Sequence, residues 1–275
     1  MLAATACDSS AWQAELRLGF AVRGDKTALV KRQHHGPLTV QRAFYPEGPL
    51  CHVYVLHPPG GIVGGDQLTI AADIAEHAQA LITTPAAGKF YRSGGAEAQQ
   101  TVQLNVAQQA SLEWLPQETI IYQGAQLSSS MELNLADNAR FIGWEVLALG
   151  RPAAGEGFDE GQAKLNWQIK RNGQLLYRER LQLDALAFAA RWGMAGHSAC
   201  GTLLAYPTSA AQLEAVQQLI AEQHNRGVTR IDNLLICRAL DDRADLLRGW
   251  FEQVWALLRE DIVGKPPSSP RIWAT

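Results

Sequence analysis

Three short segments with one shared pattern constrain this chain more than anything else in it. Asp73-Ile74-Ala75-Glu76-His77-Ala78, Asn105-Val106-Ala107-Gln108-Gln109-Ala110 and Asn134-Leu135-Ala136-Asp137-Asn138-Ala139 each read Asp/Asn, apolar, Ala, two polar residues, Ala. The copies lie 32 and 29 residues apart, and each joins two apolar, strand-like runs. Strand–turn–strand units recurring at about 30 residues predict stacked β layers, each burying its apolar face on the next. Three copies also fit unrelated β-hairpins of similar composition, and the residues alone leave that alternative open. The expected fold is mainly β, a layered, β-helix-like stack with two helices near the C-terminus. It reads as a single domain over 1–275, β-rich from 12 to 183 and mixed α/β from 184 to 275.

The strands show themselves by period-2 alternation. Trp12, Ala14, Leu16, Leu18 and Phe20 form one apolar face, Gly24-Asp25 turns into Thr27–Val30, and Leu38–Arg42 is a further short strand. Ala163, Leu165, Trp167 and Ile169 alternate with polar residues up to Asn172-Gly173, a type I′ hairpin turn. On the return strand Leu175, Tyr177, Leu181 and Leu183 share a face with Glu179 in its middle, while Arg178 and Arg180 point away. Phe141–Leu149 is apolar on both faces except for Glu145. An acid on an apolar face must be paired, hydrogen-bonded or hydrated. Glu145 and Glu179 therefore read either as partners in structural ion pairs or as the lining of a polar interior path. Helices come late: Ser209–Gln212 predicts a capping box for a helix ending at Gly227. Asn233–Arg238 reads as strand, and Asp241-Asp242 open a helix with Leu247, Trp250, Phe251, Val254 and Leu258 on one stripe, stopped by Gly264.

Between the strand-like runs Cys51–Leu56 and Leu68–Ile74 stands His57-Pro58-Pro59-Gly60-Gly61-Ile62-Val63-Gly64-Gly65-Asp66. Two prolines break a regular strand, and four glycines allow positive φ and close backbone approach. It either shapes a site or is a Gly-rich turn. It is no phosphate cradle: aspartate stands where a P-loop needs lysine, and strand follows where a dinucleotide fold needs helix.

A formal net charge of −3 gives no electrostatic basis for nucleic-acid binding. No apolar run reaches the ~20 residues of a membrane span, and the start Met1–Asp8 lacks a signal-peptide pattern, so the cytoplasm is expected. The four cysteines Cys7, Cys51, Cys200 and Cys237 lie far apart and read as reduced, buried thiols. Eight tryptophans suit either partner surfaces or the core. The residues show no catalytic set: there is no Gly-x-Ser-x-Gly or His-Glu-x-x-His, and Gly196–Gly201 places His197 beside Ser198 without triad spacing. Cys51 and His57 share a strand face and are candidates for a weak, transient metal site, short of a firm one.

These motifs together resemble the urease accessory protein UreD (UreH) family. The signature is His57–Asp66. In the same order come Gly36–Arg42, Lys89–Ser93, Leu112–Glu118, Gly143-Trp144-Glu145 with Gly150-Arg151-Pro152, and the closing Arg271-Ile272-Trp273. The resemblance implies a non-enzymatic maturation factor that binds apo-urease and UreF, recruits the GTPase UreG through UreF, and passes nickel in transit through an internal tunnel, with no tightly bound cofactor. Asp66, Glu145 and Glu179 match polar residues of that path, with Glu118 a lesser candidate. Two other functions compete: a β-rich metal-dependent hydrolase using Asp66 and His57, and a purely structural clamp without a tunnel.

Overall fold

The three repeats are the corners of a β-solenoid, seen in a computed structural model that describes residues 11–274. Cys7 and the Met1–Asp8 start lie outside the described residues. The strands, in chain order, are β1 (Gln13–Arg23), β2 (Lys26–His35), β3 (Thr39–Val40), β4 (Cys51–Leu56), β5 (Gln67–Ile74), β6 (Gln79–Thr83), β7 (Gly88–Phe90), β8 (Ala98–Val106), β9 (Ser111–Leu115), β10 (Thr119–Ile121), β11 (Gln126–Leu135), β12 (Arg140–Leu149), β13 (Gln162–Arg171), β14 (Gln174–Leu183), β15 (Ala199–Tyr206), β16 (Arg226–Ile231) and β17 (Leu234–Asp241). The helices are α1 (Ala185–Ala189), α2 (Ala210–Ile220) and α3 (Ala244–Val263).

Each repeat turns the chain from one sheet into the other: β5 to β6, β8 to β9, β11 to β12. The fifth residue of the pattern, His77, Gln109 or Asn138, takes a left-handed φ of 61°, 57° or 55°. The closing Ala78, Ala110 and Ala139 are fully buried, which is why a small side chain recurs there. Neighbouring coils are in register. Asn105 Nδ2 donates to Asp73 Oδ1 at 2.8 Å and Asn134 Nδ2 to Asn105 Oδ1 at 3.0 Å, a polar ladder along the corner. Corner amides are satisfied by the coil beneath: Ala107 N–H donates to Ile74 O and Ala136 N–H to Val106 O.

The first sheet runs β14-β13-β11-β8-β5-β1-β2, parallel in its centre and antiparallel at both edges. The second runs β16-β17-β15-β12-β9-β6-β4-β3, with β4, β6, β9 and β12 parallel and β15, β17 and β16 added antiparallel. Short β7 and β10, with a bridge from Ile62 to Phe90, make a third side of the coil. One core lies between the two sheets. A second lies where α3 covers the outer face of the second sheet, burying Trp144, Phe251 and Trp255. That double cover explains the apolar residues on both faces of β12. Packing also takes most of the tryptophan: Trp114, Trp144, Trp167, Trp250 and Trp255 are buried, whereas Trp12 and Trp192 are exposed.

Some boundaries differ from the sequence expectations, each for a local reason. The β13–β14 turn has positive φ at both Asn172 and Gly173, as a type I′ turn requires. A bulge follows, however: Ile169 pairs with Tyr177 but Lys170 with Leu175. Leu175 is thereby thrown off the face of Tyr177 and lies 58% exposed. The Ser209–Gln212 capping box forms in both directions, but α2 stops at Ala221 (φ 47°), and Gly227 falls within β16. Asp241 closes β17, and α3 begins three residues beyond it, after Arg243. The short α1, capped by Asp184 on the Ala187 amide, was not expected from periodicity. No helix among the described residues is long and apolar enough to cross a membrane.

Candidate functional site

The Gly-rich stretch is one turn of the third side of the coil. Ile62 N–H donates to Lys89 O, Tyr91 N–H to Ile62 O, Tyr122 N–H to Phe90 O, and Gly150 N–H to Ile121 O. The glycines let these turns touch. A Cβ at Gly61 would land in the Tyr91 ring, and one at Gly64 would strike Ser93 Oγ and the Ala96 carbonyl. Asp66, 3% exposed, ties the loop shut. Its Oδ1 accepts from Trp12 N–H at 2.9 Å and its Oδ2 from Val63 N–H at 3.0 Å. Beside it, burial depresses the His57 imidazole below its ordinary range, with the Asp66 charge opposing. Both Asp66 oxygens are thus committed to backbone.

Glu145 and Glu179 lie elsewhere, on the wall of one cavity of about 400 Å³ between the far ends of the two sheets. Strand register puts them there. In the second sheet Glu145 pairs with Thr202 and Thr202 with Arg238, so the three stand in a row on the inner face. In the first sheet Trp167 pairs with Glu179. The two rows engage crosswise. Trp167 and Glu145 line the cavity together. Arg238 Nη2 lies 2.9 Å from Glu179 Oε1 and donates to Tyr177 Oη at 2.6 Å, while Tyr177 Oη donates to Glu179 Oε2 at 2.8 Å. Glu145 forms no ion pair among the described residues; burial pushes its carboxyl up to about 7, Trp167 pulling it down and the Glu179 charge pushing it further up. The same burial and the two carboxylates push the Cys200 thiol, also on the wall, up to about 12.

A carboxyl raised above its ordinary 4.5 binds its proton more firmly in the folded chain than in the unfolded one. Its cost is absent below about pH 4.5 and grows as pH rises to about 7. Glu145→Gln should therefore gain stability relative to wild type across that window, by roughly 1–3 kcal/mol, read from urea-denaturation midpoints at several pH values. A pH-independent difference would mean that Glu145 is not enclosed as described.

The family profile described as UreD urease accessory protein matches residues 13–274. A urease accessory protein UreD of Dechloromonas aromatica (strain RCB) is 45% identical over 278 residues, covering 97% of this chain and 96% of that protein. Its namesake in Citrobacter koseri is 45% identical over 265 residues, covering 96% and 92%. That of Klebsiella aerogenes is 44% identical over 265 residues, covering 96% and 97%. The chain belongs to the UreD urease accessory protein family.

Three of the stretches that carry the UreD resemblance, the signature loop, Lys89–Ser93 and Gly150-Arg151, lie on one side of the coil. The candidate residues, by contrast, fall in three places. Glu145 and Glu179 share the cavity; Asp66 holds the loop; Glu118 lies near Arg248 of α3, 3.5 Å away. Cys51 and His57 are not brought together: they stand six positions apart along extended chain, about 20 Å, and Cys51 is a core thiol pushed up to about 11 by burial. No three His, Cys, Asp or Glu side chains among the described residues cluster to hold a metal ion. In the hydrolase reading Asp66 would act from a buried position with each oxygen already accepting one backbone N–H.

Sequence reasoning missed a fully buried charged cluster of this UreD chain. Arg259 of α3 donates Nε and Nη2 to Glu113, Nη1 and Nη2 to Glu47, and Nη1 to Pro266 O, using all five of its N–H donors. Trp255 Nε1 also donates to Glu113 at 2.7 Å, and His52 Nε2 lies 2.9 Å from Glu47 Oε1. Burial would push the Glu47 carboxyl up, but hydrogen bonds to His52 and Arg259 bring it down to about 2.

Proposed function

We propose that this chain is a urease maturation factor that binds apo-urease with UreF in the cytoplasm and, through UreF, the GTPase UreG. In that complex the cavity between the sheets forms part of the route by which nickel reaches the urease active site. The observation that carries this reading is the meeting of Glu145 and Glu179 on one interior wall, brought from opposite sheets. Carboxylates are hard ligands that suit a hydrated divalent cation and release it, whereas ionised thiols would hold it tightly. Cys200, kept protonated by its surroundings, adds no thiolate to the wall. Among the described residues too few donors gather for a resident site, which suits transit better than storage.

The test is nickel content and activity of urease matured with wild type or with Glu145→Gln/Glu179→Gln. Both forms must first capture UreF and apo-urease equally. With capture intact, nickel per urease active site is expected to fall by roughly ten-fold or more, the scale on which supporting carboxylates matter. Normal loading would sink the route and leave the chain a structural clamp.

A further inference from the structure

Glu179 already holds a cation, and that cation is Arg238. The guanidinium closes a ring with the Glu179 carboxylate and the Tyr177 hydroxyl. Its side chain is 57% exposed while that of Glu179 is 14% exposed, so Arg238 stands between solvent and the carboxylate. Its cross-strand neighbour on β16 is Gly227, where an added Cβ would meet open space. Across the row, Thr202 separates it from Glu145 by two strand spacings, about 10 Å. Arg238 therefore neutralises one carboxylate of the cavity without touching the other.

We infer that Arg238 is a tethered counter-ion which a divalent cation must displace from Glu179, and so sets how weakly the cavity holds its cargo. The inference rests on the transfer reading above and adds to it a residue that governs affinity. The physical basis is competition. A guanidinium fixed on the facing sheet is present at high effective concentration, so a free cation gains Glu179 only by opening the ring. Its exposure gives the side chain room to swing outward when displaced. With Arg238 in place, the two carboxylates carry one uncompensated charge at most, and the wall passes a cation on. Without it, the Glu179 carboxylate faces the cavity unneutralised, beside Glu145.

The experiment is Ni²⁺ binding to the full chain by equilibrium dialysis at neutral pH, with folding of each variant checked by thermal unfolding. Arg238→Ala is expected to bind Ni²⁺ about ten-fold more tightly than wild type, the equivalent of a partly exposed charge pair. The gain should vanish in Arg238→Ala/Glu179→Gln. Arg238→Lys, which keeps the charge, should stay near wild type. Methylguanidinium added to Arg238→Ala should compete with Ni²⁺ and return the affinity towards wild type, a readout no merely structural role would give. Unchanged affinity in Arg238→Ala, or a gain that survives Glu179→Gln, overturns the inference. Either result would leave the route itself standing if the Glu145→Gln/Glu179→Gln protein still failed to load urease.

Discussion

Replacing Arg259 with methionine is expected to lower the stability of the folded chain by about 3–5 kcal/mol, the cost of leaving a buried charge partner uncompensated. The side chain is fully buried and joins α3 to the loop before β4, through Glu47, and to the centre of the second sheet, through Glu113. Methionine fills much of the volume, so the loss is electrostatic: two enclosed carboxylates face one another with no cation between them. Urea midpoints at neutral pH give the magnitude, and pH gives the cause. In wild type Glu47 is held at about 2, below its ordinary 4.5. Its contribution is complete above about pH 4.5 and is lost as pH falls through that value towards 2. In Arg259→Met the sign reverses near neutrality. The unpaired carboxylates should take up protons more readily folded than unfolded, so the variant should recover stability as pH is lowered from 7 towards 5, where wild type has nothing to recover from this group. A loss below about 1 kcal/mol would mean that the network is hydrated and α3 is held by its apolar stripe alone. Arg259→Lys should fall between, since one ammonium cannot serve two carboxylates and a carbonyl along five fixed directions.

Why this network escaped a reading of the sequence is instructive. The α3 stripe runs through Leu247, Trp250, Phe251, Val254 and Leu258, and an arginine next to the stripe reads as its polar margin. Arg259, however, follows Trp255 by four residues and precedes Ile262 by three, on the covered side of the helix. A usable signal existed on the other strand. Glu113 sits in Ser111–Leu115, all five residues of which are buried; the criterion that drew attention to Glu145, an acid within a doubly apolar run, applies to it equally. The solenoid is far more legible, because its repeat is written three times and puts Asp73, Asn105 and Asn134 at one corner position of successive coils. What stayed hidden there was register. The bulge that expels Leu175 depends on the partner strand, and so does the meeting of Glu145 with Glu179. They lie in different sheets, and only the pairing of β12 with β15 and of β13 with β14 brings their rows to face each other. Arg238 was read as the end of a strand. Its role comes from standing in the Glu145 row, a relation between three strands that no single segment expresses.

Asp66 and the cavity acids answer to different tests, although the resemblance groups them. Asp66→Ala is expected to cost about 2–4 kcal/mol, because it removes the acceptor of two charge-assisted backbone hydrogen bonds and leaves the Trp12 and Val63 amides without it. Asp66→Asn should cost less, since one oxygen remains, but the amide donor then faces a backbone donor. The change should also be felt at His57: with the opposing charge gone, burial alone acts on the imidazole, and its titration should move further down, which NMR can follow. The protein then has a looser signature turn, with Gly64 still against Ser93 and Ala96 but the Val63 amide unheld. If Asp66 serves the fold, nickel loading of urease should follow the folded fraction of the variant and return to wild-type levels where temperature or a stabilising partner restores that fraction. Glu145→Gln/Glu179→Gln should behave in the opposite way, folding well and loading poorly. A loading defect in fully folded Asp66→Asn would instead join the signature turn to the cavity as one route, and the two committed oxygens would then have to release their amides as the cation passes.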